Sequence, residues 1–462
     1  MIRLFKHYVP HSVLMLGVID FLLLFAAGEA GWLLRLWQIE GSADPNVQRL
    51  PHLLTFAIVL QLAMVGVGAY GVDALRSMRL AAARLVVSVS LGVLLLALVF
   101  FFFPALTFWR SNLLYAMIFS AGGLTLVRVL LGHTLDGEAF KRRVLILGAG
   151  PRAARVQQLA RRNGASFTIA GYVSMNDGRT AVANSVNRAD IANLSAHVVT
   201  LRASEVVLAL EERRNALPLN DLLRIKTTGV HVNEFSSFLE RETGRVDLDS
   251  LNPSWLIFSD GFSSGRRLSS AGKRFFDIIV SAIILVLTGP LILATALLVK
   301  LESKGPAFFR QRRIGLYGVP FEVPKLRSMR EDAEVGGIAV WAQKDDPRIT
   351  RVGAIIRKLR IDELPQAWSV LKGEMSFVGP RPERPQFVAD LEARLPYYAE
   401  RHMVKPGITG WAQINYPYGA SIEDSRQKLE YDLYYAKNYT PFLDLLILLQ
   451  TVRVVLWPEG AR

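Results

Sequence analysis

Four apolar stretches, near residues 12–35, 51–71, 79–103 and 112–132, dominate the first third of the chain. Each is close to the ~20 residues that carry a helix across a bilayer. Polar breaks separate them: Gln38 to Pro45, Asp73 to Arg79, and Phe108 to Ser111. The small residues from Ala26 to Ala30 suit a signal-peptide cleavage site, but apolar sequence continues past them and three further stretches follow, which argues for a membrane bundle. Basic residues cluster at Arg3 and Lys6, at Arg76 and Arg79, and at Lys141 to Arg143, so both ends of the bundle are expected to face the cytoplasm. Asp20 sits inside the first stretch, as a functional group or as half of a pair within the bundle.

Composition supports this reading. Of 462 residues, 51% are hydrophobic and only 20% charged, which excludes a disordered chain. The chain has no cysteine, which rules out disulfides, thiolate zinc sites, iron–sulfur clusters and a cysteine nucleophile. The net charge of +14 suits anionic partners: lipid headgroups, phosphorylated substrates or nucleic acid. Nucleic acid is the poorest fit, because the cations cluster beside apolar segments and an acid pair rather than along aromatic-lined strands.

Residues 143–150, RVLILGAG, are a short strand entering a glycine turn and a helix. Gly148-x-Gly150-x-x-Ala153 fits a dinucleotide fingerprint, in which glycines let the backbone approach a pyrophosphate. Strands at 167–173 and 205–210 follow, the second ending near Glu211 and Glu212. The first ends at Ser174, where an acid for the ribose is expected. No Tyr-x-x-x-Lys occurs, so an epimerase or dehydrogenase lacks its catalytic pair. A Rossmann-like domain with a structural or regulatory role is the favoured reading, and nucleotide binding through Gly148 and Gly150 is the other.

A fifth apolar segment, residues 275–300, is flanked by cations on both sides and carries Gly289-Pro290 at its middle. A simple crossing would put one basic cluster outside. Proline removes a backbone donor and kinks a helix. A broken helix entering and leaving on one face satisfies both facts; an ordinary kinked span is the other reading.

Residues 353–385, GAIIRKLRIDELPQAWSVLKGEMSFVGPRPERP, place Asp362 and Glu363 before a short helix ending at Gly373. Asp362 suits an N-cap, and Pro365 the first turn. Arg357 and Arg360 precede the pair, and Arg381 and Arg384 follow it. Acids among cations at a helix start suggest phosphoryl transfer with a divalent metal and a carboxylate nucleophile. Plain helix capping is the other reading of the pair.

From Arg274 to about Trp457 the chain resembles the monotopic phosphoglycosyl transferases among bacterial sugar transferases. The blocks are KRFFDIIVSAIILVLTGPLIL, RQRRIGLYGVPFEVPKLRSM, RIDELPQAWSVLKGEMSFVGPRPE, KPGITGWAQIN and YDLYYAKNYTPFLDLLILLQTV. The four-span bundle and Rossmann-like insert resemble the long form. The opening MIRLFKHYVP resembles the exopolysaccharide, PEP-CTERM-associated type. The resemblance implies transfer of a hexose 1-phosphate, glucose or galactose, from a UDP-sugar to undecaprenyl phosphate. UMP is released on the cytoplasmic face of the bacterial inner membrane, as the first step of exopolysaccharide assembly. It implies Asp362 as nucleophile, carrying a covalent phospho-sugar, and Glu363 as the Mg²⁺ ligand. Arg357, Arg381, Lys325 and Arg327 match phosphate-holding positions, and Gly289-Pro290 takes the place of the helix-breaking pair. Glu374 and Trp368 depart from the commoner residues, and Trp368 bears on the acceptor or sugar pocket.

The expected architecture is therefore a membrane α-helical bundle (1–135), an α/β Rossmann-like domain (140–250), a linker (251–270) and a mainly helical transferase domain (271–462). That last domain has a re-entrant helix at 275–300 and an interfacial helix at 442–457. Membrane lipids are expected partners, and the broad bundle suits a homodimer. The competing class is a non-catalytic membrane scaffold or sensor.

Overall fold

The computed structural model describes residues 2–4, 7–9, 11–39, 49–71, 78–132, 141–162, 165–175, 180–211, 217–251, 267–330, 348–417, 419 and 421–456. Most of the expected linker, with Arg76, Glu212 and Trp457, lies outside these residues. The chain forms two compact units, Met1–Asp247 and Leu248–Arg462.

The four apolar stretches of the first unit are helices: α1 (His11–Gln38), α2 (Arg49–Val67), α3 (Met78–Phe102) and α4 (Arg110–Gly132). All four are long and apolar enough to cross a membrane. Leu24, Phe56, Leu60, Met64, Leu96 and Leu124 form their shared core. Leu22, Val86, Leu94, Phe101 and Leu130 are exposed on the outside, where only an apolar solvent would leave them at no cost. Asp20 is paired: both guanidinium nitrogens of Arg128 donate to its two oxygens, at 3.0 and 2.7 Å, and neither residue reaches solvent. This bidentate geometry satisfies a buried charge that would otherwise be expensive.

The α/β part has a five-stranded parallel sheet. Its strands are β3 (Arg142–Leu147), β4 (Phe167–Ser174), β5 (Ser185–Asn187), β6 (Glu205–Leu208) and β7 (His231–Glu234), following an N-terminal hairpin of β1 (Ile2–Leu4) and β2 (His7–Val9). Their spatial order is β5-β4-β3-β6-β7, with β3 central, which is the doubly wound pattern of a Rossmann-like domain. The edge strands β5 and β7 were not foreseen. Both are three or four residues long and polar, with no alternation to mark them.

The crevice at the carboxyl ends of β3 and β6 is where such a fold takes a ligand. Gly148, with φ +122, makes the turn, and Gly150 caps α5 (Pro151–Ala160). The chain closes over this turn itself. Gly148 N–H donates to Val173 O, Ala149 O accepts from Ala181 N–H at 2.7 Å, and Arg152 reaches Leu210 O across the crevice at 2.5 Å. Residues 148–150 are buried.

The second unit starts with α6 (Arg267–Glu302), then the antiparallel hairpin β8 (Phe308–Ile314) and β9 (Pro320–Leu326). Next come α7 (Arg351–Lys358), a 3₁₀ turn (Ile361–Gln366), α8 (Ala367–Lys372) and β10 (Ser376–Val378). The unit closes with β11 (Gly407–Thr409), α9 (Ile422–Asn438) and α10 (Pro441–Leu456). β10 and β11 pair in parallel. Their backbones cross so closely at Gly379 and Gly407 that a Cβ on Gly407 would lie 2.1 Å from the nitrogen of Gly379. Only glycine fits there.

α6 departs from expectation in its extent. It begins before the expected start at 275 and runs to Glu302 without interruption, keeping Pro290 inside a continuous helix. Both flanks dock on the same unit. Arg274 binds the carbonyls of Val370 and Leu371, while Ile292, Ala296 and Val299 pack with Leu326 and Ile356. Between them Val286 and Leu287 are 76% and 74% exposed, and nothing lies near Gly289. α10 also differs from a simple amphipathic run. Its polar residues face protein: Asp444 is ion-paired with Lys273, Thr451 meets Thr409, and Arg453 donates to Ile414 O.

Candidate active site

The site is built on the 3₁₀ turn Ile361–Gln366, and this corrects one expectation. Asp362 is not the N-cap. Arg360 precedes the turn in the left-handed region, φ 58, and Asp362 lies inside the turn. That conformation costs a non-glycine residue about 1–2 kcal/mol. It holds Arg360 beside the acid pair, with Nη1 3.6 Å from Glu363 Oε2. Pro365 falls within the 3₁₀ turn, and α8 ends at Gly373, φ +92, as the sequence suggested.

The two acids have different surroundings. Glu363 takes the ion pairs: Lys325 Nζ lies 3.0 Å and Arg381 Nη2 3.5 Å from its Oε1. Burial alone would raise its pKa, but Lys325, Arg381 and Arg360 outweigh it and hold Glu363 down at about 2. Asp362, only 8% exposed, takes no ion pair among the described residues. Burial, and then the neighbouring Glu363 charge, push its carboxyl above the ordinary range, while Lys325, Arg357 and Arg360 pull it back. Desolvation pushes Lys325 below the usual lysine range, against the pull of Glu363. One carboxylate is neutralised and fixed; the other stays electrostatically uncomfortable, and so is the better nucleophile.

Lys325 arrives from the end of β9, antiparallel to β8, and Arg381 from the loop after β10. Three of the expected basic residues therefore act on the dyad: Lys325 and Arg381 in contact with Glu363, and Arg357 through its field on Asp362. Arg327 does not. Its guanidinium is buried and ties off the end of α6, donating to Lys304 O and, at 2.9 Å, to Ser303 O. It ties up carbonyls just past the end of α6 and makes no ion pair with Glu363 among the described residues, so it stands apart from the dyad. Gly289 and Pro290 lie on the exposed stretch of α6 between its two docked flanks.

Sequence reasoning missed Arg401. It is buried, holds Asp432 through Nε and Nη2 at 3.0 and 2.7 Å, and donates to the backbone carbonyl of Arg381 at 3.0 Å. Trp368, 51% exposed, stands on the first turn of α8, six residues beyond Asp362.

The geometry offers a buried carboxylate framed by Lys325, Arg357, Arg360 and Arg381, which is an arrangement for attack on a phosphorus of a polyanionic substrate. Because Lys325 lowers the Asp362 pKa, Lys325→Met raises it. The Asp362 carboxylate then forms only at higher pH. The acid limb of a kcat/KM profile is expected to move to higher pH. An unmoved limb would remove Asp362 as the group that sets it.

Residues 268–458 match the bacterial sugar transferase family, and residues 66–225 match a CoA-binding domain family. The chain is 46% identical over 232 residues to the UDP-N-acetylgalactosamine-undecaprenyl-phosphate N-acetylgalactosaminephosphotransferase of Aeromonas hydrophila, covering 50% of this chain and 53% of that protein. It thus spans about half the length of that relative. It is 45% identical over 193 residues to the UDP-glucose:undecaprenyl-phosphate glucose-1-phosphate transferase of Caulobacter vibrioides, covering 41% of this chain and 71% of that protein. It is also 45% identical over 194 residues to an uncharacterized sugar transferase of Bacillus subtilis, covering 41% of this chain and 90% of that protein.

Proposed function

This chain belongs to the bacterial sugar transferase family, and on that premise we propose that it transfers a hexose 1-phosphate from a UDP-sugar to undecaprenyl phosphate, releasing UMP. The observation that carries the reading is the buried Asp362 beside an ion-paired Glu363 in a frame of cations. An Asp362 oxygen attacks the β-phosphorus. The bond from that phosphorus to the bridging oxygen breaks, and UMP leaves with the electron pair. The phospho-sugar is then an acyl phosphate on Asp362. A phosphate oxygen of undecaprenyl phosphate attacks the same phosphorus, frees Asp362 and yields the polyprenyl diphosphate sugar. Arg357, Arg360 and Arg381 hold the phosphates, and Lys325 fixes Glu363.

Mg²⁺ belongs to the same proposal. The site offers the carboxylates Asp362 and Glu363. Glu363 is already ion-paired through both oxygens, to Lys325 and Arg381 and to Arg360, so an ion usually held by one or two carboxylates plus substrate phosphates would have to displace one of those cations to bind there. Bound through Glu363, Mg²⁺ would stabilise the charge that builds on departing UMP.

We further propose that α6 is re-entrant, that α10 lies at the interface, and that the dyad works at headgroup depth on the cytoplasmic face of the inner membrane. Support comes from both flanks of α6 docking on one unit around an exposed apolar tip. The cysteine-free chain allows a direct check. Single cysteines at Ser270 and Lys304 are expected to react with an impermeant maleimide from the same side of sealed vesicles. Labelling from opposite sides would mean that the helix spans.

The reaction is tested by UMP release from purified protein with undecaprenyl phosphate, Mg²⁺ and UDP-glucose, UDP-galactose or UDP-N-acetylgalactosamine. The relatives named for glucose and N-acetylgalactosamine set the first two donors to try. Release with one donor establishes reaction and sugar together. No release with any of them, from folded protein, favours the scaffold reading. Exopolysaccharide assembly is the proposed destination of the product.

A further inference from the structure

One turn of α6 grips both halves of the site. Arg274 donates from Nη1 to Val370 O and from Nη2 to Leu371 O, both at 2.6 Å, taking up carbonyls in the last turn of α8, the helix that follows the dyad. The fit is close: a Cβ on Gly373 would stand 3.1 Å from the Arg274 guanidinium carbon. One turn along, Asp277 is 2% exposed and accepts from Ser376 Oγ at 3.1 Å and Phe377 N–H at 3.3 Å. Lys273 donates to Val378 O at 3.0 Å and to Asp444 at 2.6 Å, and Phe276 meets Phe377 edge-on. Lys273 and Asp277 thus fix every residue of β10.

Arg381 is three residues past β10, and the path to it is bonded at each step. Gly379 N–H donates to Thr409 O, Pro380 O accepts from Gly407 N–H, and Arg381 O accepts from Arg401. Arg381 then meets Glu363. No slack is left between the membrane helix and this cation.

We propose that Lys273, Arg274 and Asp277 are positioning residues that couple the seating of the membrane helix to the placement of Arg381 against Glu363. The reaction in which this matters is the transfer proposed above. None of the three residues touches the reacting phosphates. Misplacement of a charge by about 1 Å costs up to ~10²-fold in rate, so a linkage of this kind has room to act.

Asp277→Ala removes the acceptor for Phe377 N–H; Asp277→Asn keeps an acceptor oxygen. In full-length protein in nanodiscs, Asp277→Ala is expected to lower kcat/KM by about tenfold, with Asp277→Asn recovering most of it. Combined with Arg381→Gln, Asp277→Ala is expected to add no further loss, because both act through one cation. Losses that multiply would mean general weakening and overturn the proposal, as would an Asp277→Ala protein with wild-type turnover. If Asp277→Ala fails to fold, Arg274→Gln runs the same cycle with the same expectation. Amide exchange across residues 379–384 reads the coupling without turnover. Faster exchange in the variant supports it, and unchanged exchange overturns it whatever reaction the protein runs. Wild-type protein that releases no UMP would sink the transferase reading alone.

Discussion

Asp362→Asn is expected to abolish the proposed transfer while leaving the protein folded. UMP release is expected to fall by at least ~10³-fold, because a carboxamide cannot form the acyl phosphate, and loss of a nucleophile commonly has effects of this size or larger. The sign of the stability change separates chemistry from folding. Burial and Glu363 disfavour the ionised form of Asp362, so its folded pKa lies above the unfolded one. The ionised group therefore opposes folding once pH passes its unfolded pKa, and a neutral isostere is expected to match or exceed wild-type stability near neutrality. Incubation with a UDP-sugar should add a phospho-sugar mass to wild-type protein, and none to the variant. A variant retaining a tenth of the activity would rule out Asp362 as nucleophile.

Arg128→Leu gives the second large effect, far from the chemistry. It leaves Asp20 inside the bundle without its two guanidinium donors. Breaking a buried pair by removing one partner costs about 3–5 kcal/mol. Thermal unfolding in detergent should show a clearly lower midpoint, and adding Asp20→Leu should recover much of it, since removing both charges avoids the unpaired one. Equal midpoints for wild type and the single variant would mean that the Tyr70 hydrogen bond alone is enough to hold Asp20.

How much of this was legible in the sequence follows physical lines. Hydropathy of span length marked α1 to α4 correctly, because an apolar helix 19 to 28 residues long resembles little else. The strand and glycine turn at 142–150 were readable as a local pattern. The acid pair stood out by its block, and the structure placed Lys325, Arg357 and Arg381 around it. What escaped was long-range or locally featureless. Arg327 shares a block with Lys325 but reaches the end of α6, because it lies one residue past β9, where the strand's alternation no longer applies. Asp362 suits a cap by type, yet Arg360 takes the left-handed position and moves the turn. Asp20 lies 108 residues from Arg128, and Arg274 96 from Val370, separations at which spacing says nothing.

One such separation bears on how the protein is made. Lys273 and its partner Asp444 lie 171 residues apart. At ~5–20 residues per second, translation leaves roughly 10–30 s between them. During that interval α6 exists first, and the partners of residues 273–277 follow in turn: Val378 of β10 is 105 residues beyond Lys273 and Asp444 of α10 is 171. On the proposed re-entrant topology, its place in the bilayer is therefore set by its own sequence, by Gly289-Pro290 and the cations on both sides. The later residues only fasten a helix already seated, so a helix that first inserted the wrong way would meet its partners across the membrane and never close the site.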